Sequence, residues 1–537
     1  MALKLPAVAL PIPSLRISQE RASLATRRLL GFVPYATAMA IPCWTFWRLA
    51  KEMLQKATGI GYDEQFFMWG GWSILKGLAP YRDFIEFKPP MTFLSHALAL
   101  KLFGYAGERF RYFFLWLALS SVAALTASLL KRGADVVLSS ALGLAVVYLF
   151  TYPGYHEVFF TDTESIGLSY YFLGVAFLIA NTRFRRTAEV LGGIFLTCAA
   201  FSKEPFIPCV GVTWLACYFV VYGEMSKANA RSYLKYTAIG IGGSIAALCL
   251  YMIPTGAMSA YLATVRNYMT MFRDPQKGYC VLLGTFQPKG KFLDDLPLQY
   301  DRIRVDFLNT TTLGYLAPFF VAAFVFLPRR SWALFGTSLM AFVFALYGIT
   351  ASHCYFPHYY LMAQSGLFFF LAAGVDSIGP ALALANGATR LWVRAAVLLT
   401  VAMHIWPRIE TDLPPPVASA WHPYEPAPGL YDFIREHSAP TDRIFTTGPP
   451  SLYVYVDRIA AVRESSIIDE LVPAMPGKTD EEKLRPLYDE LVRHRPKIVF
   501  LDPEHGHRKH RHLAAAIMPF LTEFDYTKVN ELLYLRP

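Results

Sequence analysis

Through the first 406 positions, polar residues are gathered into breaks between long apolar runs. A helix needs about 20 mostly apolar residues to cross a bilayer, and somewhat shorter ones occur in bundles. Runs of this kind lie near 29–50, 110–130, 136–151, 165–181, 188–202, 205–223, 236–254, 312–327, 332–350, 359–381 and 391–406, which predicts eleven spanning helices. The first run is too long for a cleavable signal, and no small-residue cleavage site follows it. After Trp406 the pattern changes. Leu413-Pro414-Pro415-Pro416 predicts a stiff, extended linker. Farther on, Arg443–Thr447 and Lys497–Leu501 predict buried strands, 480–494 an amphipathic helix and Glu531–Leu535 a last short strand. The expected architecture is an all-α polytopic membrane bundle over 29–406, preceded by a tail over 1–28. A linker over 407–420 then leads to a small α/β domain over 421–537.

Composition agrees with this division. Hydrophobic residues make up 54% and charged residues 17% of the 537 positions, against about a quarter charged in soluble domains. The mean hydropathy is +0.33. These values exclude a disordered chain, a nucleic-acid-binding module and a small disulfide scaffold. The net charge of +10 is informative through its placement. Lys131 and Arg132, Arg183, Arg185 and Arg186, Lys227, Arg231 and Lys235, Arg329 and Arg330, and Arg390 and Arg394 fall in alternate breaks. Lys4, Arg16, Arg21, Arg27 and Arg28 lie in the N-terminal tail. Basic short loops stay in the cytoplasm, so this set is expected there. The segments 51–109, 152–164, 255–311 and 351–358, and the turn at Lys203, are then expected outside. An odd number of spans carries the C-terminal domain outside as well. The expected location is a bacterial inner membrane, with that domain in the periplasm.

Candidate chemistry gathers on the outer side. Most spans contain no Asp, Glu, Lys or Arg in their apolar cores, whereas ion-coupled transporters and flippases place such groups near the midplane. The first outer loop reads Gly61-Tyr62-Asp63-Glu64-Gln65, then Gly77-Leu78-Ala79-Pro80-Tyr81-Arg82-Asp83, then Glu86-Phe87-Lys88-Pro89-Pro90. Taken singly, Asp63 suits a helix cap and Lys88 a snorkelling lysine. Together they put an acid pair and a cation about 25 residues apart on one side of the membrane. Asp162 and Glu164 stand where the fourth span begins, and there capping and function weigh equally. Lys203-Glu204-Pro205 lies at an outer turn, and Phe356-Pro357-His358-Tyr359-Tyr360 opens the tenth span.

These motifs, in this order and sidedness, resemble the GT-C glycosyltransferases. The closest likenesses are bacterial relatives of protein O-mannosyltransferases, the aminoarabinose transferase of lipid A and rhizobial-type lipopolysaccharide galacturonosyltransferases. The resemblance covers roughly the first 205 residues and a patch near 360. It implies a sugar donor carried on polyprenyl phosphate, a catalytic acid in the first outer loop and inversion at the anomeric carbon. Asp63 and Glu64 are then the catalytic candidates. Arg82, Glu86, Lys88, Asp162, Glu164, Lys203, His358 and Tyr359 are candidates for binding the substrates. The acceptor is a glycolipid such as lipid A or its core, another envelope glycan, or a protein. No cofactor is required by the pattern. Metal dependence stays open, since carboxylates such as Asp63 and Glu164 could ligate a divalent ion. The competing classes are a transporter or flippase of lipid-linked sugars and a non-catalytic membrane scaffold.

Other signals carry less. Gly477-Lys478-Thr479 lacks the first glycine of a phosphate loop. Gly240-Ile241-Gly242 reads as helix packing. His505, His507, His510 and His512 form a basic, solvated run with no fixed metal geometry. Cys280 and Cys354 both fall in outer loops, where a disulfide and two free thiols are equally compatible with the pattern. Because every catalytic candidate precedes the Pro-rich linker, the C-terminal domain is expected to be accessory.

Overall fold

The computed structural model describes residues 33–52, 54, 62–104, 109–151, 161–222, 226–273, 293–298, 300, 332–352, 359, 374–376, 378, 382–410, 429–463, 479–502 and 513–537. Helix α1 covers 33–52. It is followed by α2 (Tyr62–Leu75), α3 (Pro90–Phe103), α4 (Arg111–Lys131), α5 (Val136–Thr151), α6 (Thr163–Ile179), α7 (Arg185–Ala200), α8 (Phe206–Tyr222), α9 (Lys227–Met252) and α10 (Ala257–Arg273). Next come α11 (Trp332–Ser352) and α12 (Gly387–Glu410). Among these, α4 and α9, with 21 and 26 residues, are long and apolar enough to cross a membrane. Helices α5, α6 and α8 are equally apolar but shorter, at 16, 17 and 17 residues. The apolar run 312–327, most of 359–381, and the motifs at 472–478, 505–512, Cys280 and Cys354 lie outside the described residues.

Two features depart from the apolar-run reading. The first outer loop is not only loop, because α2 and α3 pack on each other within it. Helix α10 occupies the start of the 255–311 segment. None of the three has the length of a span, α2 and α3 having 14 residues each and α10 having 17.

Small residues bring the helices together. Helix α7 lies against α6 and α9. A Cβ on Gly193 would stand 2.5 Å from the Thr237 carbonyl oxygen, and one on Gly240 would be closer still to that of Val190. The backbones therefore touch where side chains are missing.

The bundle has two chemically distinct ends. At one, Arg132 donates to Asp376 (2.8 and 2.7 Å) and to the Ile179 and Val220 carbonyls, tying the C-terminal ends of α4, α6 and α8 together. Arg394 pairs with Asp135 at 2.6 Å, and Glu189 accepts from Arg185 and Tyr222. At the other end lie α2, α3 and the turns near 162, 202 and 255. Met91 N–H donates to the Phe201 carbonyl, Thr92 Oγ1 to that of Ser202, and Arg82 to that of Thr255.

The C-terminal part is an α/β unit with α13 (Leu430–Glu436), β1 (Arg443–Thr446), α14 (Ser451–Val456), β2 (Ile459–Ala460), α15 (Asp480–His494), β3 (Ile498–Phe500), α16 (Leu513–Glu523), β4 (Thr527–Lys528) and β5 (Leu533–Leu535). The sheet order is β2-β1-β3-β5-β4. β1 runs parallel to β2 and β3, with Phe445 opposite Val499, and β5 runs antiparallel to β3 and β4. Leu484, Leu487, Leu491 and Phe520 of α15 and α16 cover one side with Val499. The other side is continuous with the bundle: Ile444, Leu452 and Tyr453 share one core with Trp69 and Trp72 of α2. The unit is thus packed onto the α2–α3 end.

Candidate active site

Asp63 and Glu64 form the first turn of α2, where a helix N-terminus favours negative charge. Successive residues on a helix point about 100° apart, and the two acids have different surroundings. Glu64 is fully enclosed, its two oxygens held by Arg111 Nε at 2.6 Å and Arg111 Nη2 at 2.5 Å. Its charge is used in holding α2 to the start of α4. Asp63 is half-buried.

The connection from α2 to α3 is tightly folded. Tyr81 adopts φ 63°, and its hydroxyl donates to the Lys88 carbonyl at 2.7 Å. Phe84 is wedged between Trp69 and Phe93, with ring centroids 5.6 Å from each. Arg82 makes a two-pronged pair with Asp83, is half-exposed and donates to the Thr255 carbonyl, which ties this connection to the turn between α9 and α10. Asp83 is held below the usual carboxylate range: burial would raise it, but the hydrogen bonds from Arg82 and the Ala79 N–H prevail.

Glu86 and Lys88 follow before Pro89 and Pro90 open α3, and both residues are buried. The Lys88 ammonium lies 4.0 Å from the Phe87 ring centroid. Burial pushes the Glu86 carboxyl up to about 7; Lys88 and the Phe87 N–H oppose the rise, and Asp63 adds to it.

The third group comes from α6 and the α7–α8 turn. Asp162 is the N-cap of α6, accepting from the Ser165 N–H at 2.6 Å. Glu164 stands 2.9 Å from the Lys203 ammonium, and its other oxygen accepts from Thr163 at 2.6 Å. Lys203 also lies 4.3 Å from the Tyr359 ring centroid. Burial works against the Lys203 charge, yet Glu164, Tyr359 and Glu204 hold its pKa above the usual lysine range. Burial raises Glu204, against the pull of Lys203 and Lys88.

These fields link Asp63, Glu86, Lys88, Glu164, Lys203 and Glu204 into one cluster: four carboxylates around two lysines, walled by Tyr81 and Tyr261. Arg82 faces outward from it, Glu64 is taken up by Arg111, and Asp162 caps its helix. His358 lies outside the described residues. Sequence reasoning passed over three contributors. Glu204 stood inside a quoted motif. Arg111 was visible as a charge opening an apolar run. Tyr261 lay on α10, in a segment read as loop. Among the described residues, no three His, Cys, Asp or Glu side chains converge as a metal site.

No family model matches this sequence, and no curated protein is similar to it at a significant level. Solved structures are similar. The crystal structure of ArnT from Cupriavidus metallidurans in the apo state is 14% identical, covers 96% of this chain and 98% of its own, and has a TM-score of 0.52. The same protein bound to undecaprenyl phosphate is 15% identical with the same coverage and a TM-score of 0.50. Over nearly its whole length this chain therefore shares the fold of ArnT.

Proposed function

We propose that this chain is an integral-membrane glycosyltransferase. It moves a sugar from a polyprenyl-phosphate donor to a cell-envelope acceptor, such as lipopolysaccharide, at the periplasmic face of a bacterial inner membrane. The observation that carries this reading is the contrast between Asp63 and its neighbours. Glu64 is neutralised by Arg111 and Glu164 by Lys203, while Asp63 stands half-buried, near enough to Glu86 to raise its carboxyl. The ArnT structure with undecaprenyl phosphate supports the choice of donor class.

In this mechanism the acceptor hydroxyl meets Asp63, which takes its proton as the oxygen attacks the anomeric carbon. The new C–O bond forms opposite the breaking bond to the phosphate oxygen, so the configuration inverts. The departing polyprenyl phosphate gains negative charge, which Lys88 is placed to stabilise. Among the described residues Lys88 has no ion-pair partner, its ammonium resting on the Phe87 ring. Lys203, already balanced by Glu164, serves more to orient that acid and the Tyr359 ring. Glu86 and Tyr359 are proposed to bind the sugar and acceptor hydroxyls.

The test is sugar transfer by the purified, full-length protein in detergent, from a panel of undecaprenyl-phosphate sugars. Asp63→Asn keeps the shape and removes the proton acceptor. Turnover should fall about 10²- to 10⁴-fold while undecaprenyl phosphate binding persists. Lys88→Ala should weaken both binding and turnover. Near wild-type turnover by Asp63→Asn would show that another group is the base.

A further inference from the structure

The α/β domain does more than cover the bundle. It follows α2 and the connection beyond it through four contacts in matching order. Ser451 Oγ donates to Gln65 Oε1 at 2.7 Å in a buried setting. Tyr453 lies 5.8 Å from Trp69, Asp457 pairs with Lys76 at 2.7 Å, and the Arg463 carbonyl accepts from the Ile85 N–H at 2.8 Å. The last contact falls one residue before Glu86 and three before Lys88.

The Arg463 carbonyl is itself fixed. Glu490 of α15 is buried, and its two oxygens both go to Arg463: Oε2 accepts from the backbone N–H at 2.8 Å, and Oε1 accepts from the side-chain Nε. Holding both backbone and side chain of one residue leaves its carbonyl little freedom. Burying a carboxylate is costly unless it is paired and hydrogen-bonded, and in this one both oxygens are committed to Arg463. On the other side of the link, 85–87 belong to no helix or strand. Their course rests on Ile85, on the Phe84 wedge and on the bond from Tyr81 to the Lys88 carbonyl.

We propose that Glu490, acting through Arg463, is a positioning residue for Glu86 and Lys88, so that the α/β domain sets the geometry of the connecting segment that meets the donor phosphate. The donor part of this inference rests on the function proposed above; the mechanical part does not. It also revises the expectation that the domain is accessory, because the domain supplies one of the few bonds that hold the segment connecting α2 to α3.

The experiment uses the full-length protein and reads two quantities. The first is hydrogen exchange at the Ile85 amide. Glu490→Ala should speed it, with α3 and α4 unchanged, and Glu490→Gln, which keeps an acceptor oxygen, should restore part of the protection. The second is affinity for undecaprenyl phosphate in a cycle with Lys88→Ala. A misplacement of about 1 Å can cost up to about 10²-fold in function, and Glu490→Ala should weaken binding about tenfold by that scale. In the Lys88→Ala background it should add little, since the two act in series. If Glu490→Ala does not fold, Arg463→Ala removes the side-chain arm alone and should give the same pattern more weakly. Unchanged Ile85 exchange in the folded variants would overturn the proposal, as would equal losses of affinity in both backgrounds. Normal affinity in Lys88→Ala itself would instead count against the donor site, with the exchange result deciding the positioning separately.

Discussion

At the scale of single residues, neighbouring acids part company through what encloses them. Asp63 and Glu64 are adjacent in sequence, yet Arg111 at the start of α4 claims only Glu64. Removing one partner of such a buried pair typically costs about 3–5 kcal/mol, so Arg111 substitutions test folding rather than chemistry. Glu86 offers a cleaner test. Its carboxyl is raised from 4.5 to about 7, chiefly by burial. The folded protein therefore holds a proton that the unfolded chain releases, and stability should fall as pH rises through this window. Glu86→Gln should flatten the fall in melting temperature between pH 4.5 and 7 and make the variant the more stable protein at pH 8. An identical pH dependence in wild type and variant would show that Glu86 is not held in this state.

At the scale of elements, the bundle depends on where side chains are absent. Gly193 on α7 and Gly240 on α9 let two backbones meet, while Gly242, two positions further along α9, faces open space. Gly240→Leu should lower stability by about 1–3 kcal/mol or more through overpacking, read as a drop in melting temperature. Gly242→Leu should be close to neutral. Equal effects of the two would mean that α7 and α9 do not cross at this point. The sequence marked Gly240-Ile241-Gly242 as packing, but which glycine does the packing depends on the rotation of α9.

At the scale of the whole molecule, charge arranges the ends. The described basic residues of the predicted cytoplasmic loops, among them Arg132, Arg185 and Arg394, gather at one end in pairs with Asp376, Glu189 and Asp135. The carboxylate–lysine cluster sits at the other, under the α/β unit. A reporter active only outside the cytoplasm, fused after Pro537, should be active, and the same reporter within 132–135 should be silent. The reverse pattern would place every proposed site residue on the wrong side.

The sequence by itself determined where the long apolar helices run and the α/β character of the C-terminal part. Apolar length and strand patterning are local properties, and the structure ends α4 at Lys131 and α15 at His494, within a residue of where the pattern ends. It also marked most of the cluster, because Asp63, Glu86, Lys88, Glu164 and Lys203 are charges in otherwise apolar surroundings. Only the tertiary structure decided their partners. That Arg111 takes Glu64, that Glu164 takes Lys203, and that Arg463 reaches Ile85 across 378 positions of chain are long-range facts of packing. No local pattern encodes them, since each depends on which helix faces which once the apolar surfaces have found one another.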